Sequence, residues 1–399
     1  MSFDFPVISA DSHITEPPDC YTAHIDPAFR DRAPHMITDE VRGDVFVVPG
    51  MGRPIAMGLV AAAGKPAEEL TIAGVKFEDI HRSGWDATYR LADQDRDGVS
   101  AEIIYPTVGM MICNHDDLDF KKACFDAYNR WITDYCSEAP YRLLGCGQTA
   151  LRSVEEGIAD LVAIKEAGLR GVMMPGEPGT LTDDADGFDY DDPRWAPFWE
   201  AAVELGLPLS FHILTSRGSA FNGKPRGSRL NGFLGIIRGI QDIMGTLVYG
   251  GVFERHPGLK IVCVEADAGW VPHYMYRMDH AYNRHRNWMD AGVQLSKLPS
   301  EYFAEHIYVT FQDDWTAFKQ ADDMNWRRLM WANDFPHSDS TWPWSQEMLA
   351  EQVRQLTREQ RRAILSGNVA DLYDIDLSQL PVTTRSAQQA AATVRQPAE

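Results

Sequence analysis

The sequence predicts an α/β chain of the (β/α)8 TIM-barrel class, one domain over residues 1–380 with a long insertion after the first strand. Eight short, nearly continuous apolar runs alternate with amphipathic helical stretches, the pattern of a parallel sheet covered on both faces. Eight such units are what a barrel needs. The rival is a doubly wound open sheet, and no GxGxxG turn follows the first strand to support it.

The runs, in order, are 7–13 (VISADSH), 101–106 (AEIIYP), 143–149 (LLGCGQT), 171–175 (GVMMP), 208–213 (PLSFHI), 260–266 (KIVCVEA), 307–312 (IYVTFQ) and 329–335 (LMWANDF). Helical periodicity fills the gaps at 86–97, 118–138, 153–167, 193–205, 233–250 and 270–290, with a short piece at 314–320 and a long one at 344–368 closing the series.

One connection breaks this rhythm. Residues 14–85 separate the first strand from the first helix, where a few residues suffice. The segment holds a hairpin pattern, Asp44–Val48 followed by Pro49-Gly50-Met51-Gly52, and an Ala/Gly-rich stretch at 61–64. In a barrel it leaves from the catalytic face, so it reads as a lid or substrate wall, with dimerisation as the other use. The loop 214–232 carries Arg217, Lys224, Arg226 and Arg229 among Gly and Ser, four cations within 13 residues of an otherwise acidic chain. Planar guanidinium forks suit a substrate carboxylate, and a solvated flexible loop is the plainer reading. Residues 381–399 lack an apolar period and read as a disordered tail.

Composition narrows the function classes. The chain has 399 residues, 44% hydrophobic and 24% charged, with a formal net charge of −21. Nucleic acid and anionic membrane surfaces are excluded as partners on charge. No run of 18 apolar residues is present, so no membrane span is expected. Six cysteines form no CxxC pair and read as reduced core thiols of a cytoplasmic protein. The N-terminus has neither a basic n-region nor an apolar h-region, so no signal peptide is expected.

The chemistry gathers at strand ends. Asp11 and His13 close the first run at i and i+2, which puts both side chains on one face. His212 ends the fifth run and Asp334 the eighth. In a barrel all four reach the C-terminal face, where such enzymes do their chemistry. A set of two imidazoles and two carboxylates without thiolate suits one divalent metal ion, zinc first and then manganese or iron.

On these residues the chain resembles the amidohydrolase superfamily, in the branch of aminocarboxymuconate-semialdehyde decarboxylase and γ-resorcylate decarboxylase. The resemblance runs from about residue 7 to 375. It is carried by Asp11-Ser12-His13 with Glu16-Pro17, Leu209-Ser210-Phe211-His212, Gly269-Trp270-Val271-Pro272 and Trp331-Ala332-Asn333-Asp334-Phe335-Pro336-His337. It implies a single divalent ion, a cytosolic homodimer or tetramer, and non-oxidative decarboxylation, hydrolysis or hydration of small carboxylated compounds.

Two departures stand out. The branch usually has His or Glu where this chain has Asp11, and its decarboxylases place a catalytic His on the sixth strand, where this chain has Glu265. Either Glu265 is the acid/base, its pKa raised by burial, or His273 or His280 on the following helix supplies the imidazole. The leading expectation is decarboxylation of a small aromatic or unsaturated carboxylic acid, with Asp334 as proton donor to carbon, Glu265 or His280 assisting, and Arg217, Arg229 and His337 contacting substrate. Metal-dependent hydrolysis of an amide, ester or C–C bond is the alternative.

Overall fold

The computed structural model describes residues 3–182, 185–217 and 227–383. Eleven strands are present among them. In chain order they are β1 (Ile8–His13), β2 (His35–Asp39), β3 (Gly43–Val47), β4 (Ile55–Ala56), β5 (Ala101–Tyr105), β6 (Leu143–Gln148), β7 (Gly171–Met174), β8 (Leu209–His212), β9 (Ile261–Val264), β10 (Ile307–Phe311) and β11 (Leu329–Trp331).

Eight of them form one sheet in the order β1-β5-β6-β7-β8-β9-β10-β11, and every described pair is parallel. Sequential parallel strands with a helix after each are the (β/α)8 barrel. Each of the eight apolar runs became one of these strands, because a strand covered on both faces needs little polar alternation. The barrel closes between its first and last strands by bonds just beyond β11: His13 N–H donates to Phe335 O at 2.8 Å, and Asp334 N–H to Asp11 O at 3.0 Å.

The helices start and stop where local chemistry dictates. Asp86 accepts from Thr88 N and Tyr89 N at the head of Ala87–Asp97, and Gly98, with φ 74, ends it in the left-handed conformation that glycine tolerates. Asp117 caps Leu118–Ser137 and Ser153 caps Val154–Glu166.

Two expectations are corrected. The stretch 344–368 is not one helix but Ser345–Gln352, Arg358–Arg362, a π turn over Ala363–Gly367, and Asn368–Tyr373. Thr357 and Gln360 form a capping box there, which starts a new helix in mid-pattern. The hairpin in the insertion is a three-stranded antiparallel sheet in the order β2-β3-β4, since β3 pairs on both edges.

The insertion is tied to the barrel mouth. Ala63 N–H donates to Pro336 O at 3.0 Å and Ser338 N–H to Leu59 O at 3.0 Å. Ala63, Phe335 and Trp342 form a small apolar cluster of their own. The Ala/Gly-rich stretch thus braces the segment that follows Asp334. The loop residues 218–226, with Lys224 and Arg226, and the tail 384–399 lie outside the described residues.

A candidate metal centre at the barrel mouth

β1 delivers two ligand candidates through an irregularity. Its register against β5 slips between Ser9 and Ser12, and the slip is stitched by side chains. Asn333 N–H donates to Ser9 Oγ at 2.9 Å, Ser9 Oγ to Asp11 O at 2.8 Å, and Ser12 Oγ to Asn333 Oδ1 at 2.9 Å. Each hydroxyl has one proton to give, so this assignment satisfies the seam between β1 and the segment after β11. Asp11 and His13 are both fully buried.

The imidazoles are oriented by main-chain carbonyls. His13 Nδ1 lies 3.0 Å from Pro106 O, and His212 Nδ1 lies 3.1 Å from Ile213 O. A carbonyl only accepts, so each Nδ1 carries the proton and each Nε2 turns a lone pair inward, the arrangement of a metal-binding histidine. The two Nε2 atoms are 3.2 Å apart.

Carboxylates complete the centre. Asp11 Oδ1 is 3.4 Å from His13 Nε2 and 3.6 Å from His212 Nε2. Asp334 Oδ1 is 3.4 Å from His13 Nε2. Glu265 Oε2 is 3.2 Å from His212 Nε2 and 3.6 Å from His13 Nε2. Both oxygens of Asp11, both of Asp334 and Oε2 of Glu265 are buried without a hydrogen-bond partner. Buried carboxylate oxygens normally have partners, so five unpartnered ones facing two inward lone pairs fit a divalent cation. Ligand bonds of about 2.0–2.2 Å set ligand–ligand edges of about 3.0–3.5 Å, close to the 3.2–3.6 Å between these carboxylate oxygens and imidazole nitrogens.

The electrostatics agree. Burial works to raise the Asp11 carboxyl, but His13 and His212 beside it win and hold it well below the usual range. Burial works to lower His13, yet Asp11, Glu265 and Asp334 push it well above its ordinary value. Burial, with Asp11 adding like charge, raises Asp334 well above its ordinary value. Burial and the Asp334 charge likewise raise Glu265. The cluster demands positive charge at its middle.

His337 sits behind the centre, stacked on His13 at 3.9 Å between ring centres. Its Nδ1 is 3.1 Å from Asp334 Oδ1 and its Nε2 is 3.0 Å from Thr107 Oγ1. Thr107 gives its own proton to Ile14 O at 2.6 Å. His337 Nε2–H therefore donates to Thr107, and its Nδ1 edge is turned towards Asp334 Oδ1.

Arg90 has no role in the expectations drawn from the sequence, and Asn333 is named there only within the Trp331–His337 motif. Arg90 is fully buried. It pairs with Glu102 at 2.5 Å and donates to His13 O at 2.7 Å and Phe335 O at 3.1 Å, clamping both ligand-bearing strand ends. A periodic signal for it existed: Ala87, Arg90, Gln94 and Asp97 are the buried face of their helix, a polar stripe turned inward.

Of the other candidates, the two histidines on the helix after β9 lie away from the centre. His280 lies nine residues into the helix Val271–Met289, about 13 Å along its axis from the mouth at 1.5 Å per residue. Its ring neighbours are Tyr276 and His285, in a shallow surface cavity of about 350 Å³. His273 is exposed on the first turn of the same helix, with Tyr276 as its ring neighbour. Arg217 pairs with Asp116 at 3.3 Å. Arg229 is exposed and opens the short helix Arg229–Phe233.

Known proteins share this frame. An aminocarboxymuconate-semialdehyde decarboxylase of Dictyostelium discoideum is 24% identical over 316 residues, covering 77% of this chain and 82% of its own. An amidohydrolase from Mycobacterium avium subsp. paratuberculosis superposes with TM-score 0.76 at 20% identity, over 95% of this chain and 100% of its own. A 5-carboxyvanillate decarboxylase from Novosphingobium aromaticivorans, solved with manganese and 4-hydroxy-3-methoxy-5-nitrobenzoic acid, superposes with TM-score 0.63 at 18% identity, over 93% and 96%. The amidohydrolase family model matches residues 43–375, and with most of its length inside that match the chain belongs to the amidohydrolase family.

Proposed function

We propose that this protein is a metal-dependent carboxy-lyase that removes CO₂ without oxidation from a small aromatic or unsaturated carboxylic acid. The observation that carries the reading is the convergence of Asp11, His13 and His212, with Asp334 reaching His13 and the oxygens of both carboxylates unpartnered, in a fold it shares with a manganese-bound decarboxylase. These four residues would hold one divalent ion, with zinc, manganese and iron all suited to the donors. The chemistry such an ion supplies when bound is Lewis-acid stabilisation of negative charge on substrate oxygens.

The chain's own residues do the rest. The carboxyl carbon leaves as CO₂ and its bonding electron pair stays on the substrate carbon. That pair takes its proton from the Asp334 carboxyl, whose Oδ1 lies 3.1 Å from His337 Nδ1. A positioned acid of this kind contributes about 10²–10⁴-fold. Arg217 and Arg229 are the cations proposed to attract an anionic substrate towards an acidic centre. The insertion, bonded to Pro336 O and Ser338 N, is proposed as the wall that keeps water from the carbanion-like intermediate.

Supporting details extend to the cell and the assembly. The six cysteines are all free and buried, which fits a reducing cytoplasm. Among the described residues no helix is long and apolar enough to cross a membrane. Tyr276 and Trp288, 58% and 72% exposed on the helix Val271–Met289, are the kind of surface that subunits of a homodimer or tetramer cover.

The test is a panel of hydroxybenzoates and unsaturated acids beside amides and esters, with CO₂ read against amine or acid release. CO₂ from the acids supports the lyase. Amine or acid release without CO₂ replaces it with hydrolysis at the same centre.

A further inference from the structure

Resting on the metal reading above, the geometry points to Glu265 as a protein ligand of the ion, in place of the acid/base role that its strand position suggests. Four donors, Asp11, His13, His212 and Glu265, lie with one ligand atom each within 4.8 Å of one another. Asp334 belongs instead to an overlapping group with His13, Glu265 and His337. His13 and Glu265 are thus common to both sets, and Asp334 lies with His337 in the second alone.

The backbone is arranged to aim this carboxylate. Glu265 has φ 57, and Asp334 at the corresponding end of β11 has φ 52. A left-handed conformation crowds the Cβ of any residue other than glycine, and such strain persists only where the surroundings impose it. Here they do. Glu265 N–H donates to Thr310 Oγ1 at 2.9 Å. Three and four residues on, Ala268 N and Gly269 N donate to Asp314 Oδ2 at 2.9 and 2.7 Å. A Cβ at Gly269 would meet Thr316 Oγ1 at 1.8 Å, so the loop packs directly against its neighbour.

The atom so aimed has a ligand's spacing. Glu265 Oε2 is 3.2 and 3.6 Å from the two imidazole Nε2 atoms, matching the 3.4 and 3.6 Å of Asp11 Oδ1. It is buried without a hydrogen-bond partner, as are the oxygens of Asp11. A third carboxylate makes the donor set harder and oxygen-rich, which shifts preference from zinc towards manganese. It also leaves Asp334 and His337 as the proton-transfer pair.

The experiment compares the full-length wild type with Glu265→Gln and Glu265→Asp after chelation. Mn²⁺ and Zn²⁺ are titrated in competition with a chromophoric chelator, and the Co²⁺-loaded visible spectrum is recorded. For Glu265→Gln the expected result is Mn²⁺ binding weakened by roughly 100-fold or more, Zn²⁺ binding weakened less, and a changed Co²⁺ spectrum. Glu265→Asp, which withdraws the carboxylate by one methylene, should fall between; it decides the matter alone if the melting curve of the metal-free Gln variant shows misfolding. Wild-type Mn²⁺ affinity and an unchanged Co²⁺ spectrum in a variant that has lost turnover would overturn this inference and restore Glu265 as the acid/base. A wild type that binds none of these ions would overturn the metal reading itself.

Discussion

The protein has two histidine-rich regions, and they differ in everything except the imidazoles. At the barrel mouth, His13, His212 and His337 are stacked or edge-on within 5 Å between ring centres. Two of them are locked by a carbonyl on Nδ1, and all face carboxylates without other partners. On the outer helix, His280 and His285 touch Tyr276 and Trp288 through ring contacts of 5.6–6.1 Å. Aromatic rings, not main-chain carbonyls, surround the His280 ring. Histidine density marks neither region as a site. What separates them is orientation imposed from the main chain and charge brought in from distant strands.

The contrast is open to mutation, the largest effect first. His212→Ala should abolish stoichiometric metal by elemental analysis and lower turnover by about 10³-fold or more, while the metal-free melting temperature stays near that of the metal-free wild type. Retained metal with full activity would break the distinction. Arg90→Gln leaves Glu102 as an unpaired buried charge and should cost about 3–5 kcal/mol in denaturant unfolding. A loss below about 1 kcal/mol would mean that the clamp on His13 O and Phe335 O is dispensable.

His337→Asn should keep metal content but lower kcat by about 10²-fold, read with saturating substrate and metal. Unchanged kcat would move the proton elsewhere.

A smaller effect concerns stability against pH. Burial pushes the Asp97 carboxyl up to about 7 from an ordinary 3.8, even though Ser345 and Asn333 donate to it. Between those values the folded state keeps a proton that the unfolded chain has lost, so the contribution of Asp97 to stability falls as pH rises and the loss is complete above about 7. The melting temperature of Asp97→Asn, relative to the wild type, should therefore climb through that window. A constant difference would show that Asp97 is ionised throughout.

Smallest of all, His280→Ala should leave kcat/KM within about twofold and stability within about 0.5 kcal/mol. A large loss of activity would erase the contrast between the two regions.

Much of this is legible in the sequence. The eight barrel strands announce themselves because strands buried on both faces read as apolar runs, and Asp11, His13, His212 and Asp334 because each ends one. Other features were hidden for identifiable reasons. The broken helix at 344–368 turned on the box formed by Thr357 and Gln360, masked by a helical period on both sides. His280 attracted attention because seven-residue spacing from His273 implies a common face, and a common face says nothing about which surface it meets.

The sequence by itself therefore determined the number of barrel strands, the barrel class and the identity of four ligand candidates, since periodicity and the residues at strand ends are local properties. Tertiary structure alone decided that Glu265 turns inward through a left-handed backbone, that Arg90 reaches two strand ends at once, and that Thr107 sets the proton on His337. Those depend on closing the barrel, which brings β1 against a segment more than 300 residues away in the chain, and no local pattern encodes which partner such a closure supplies.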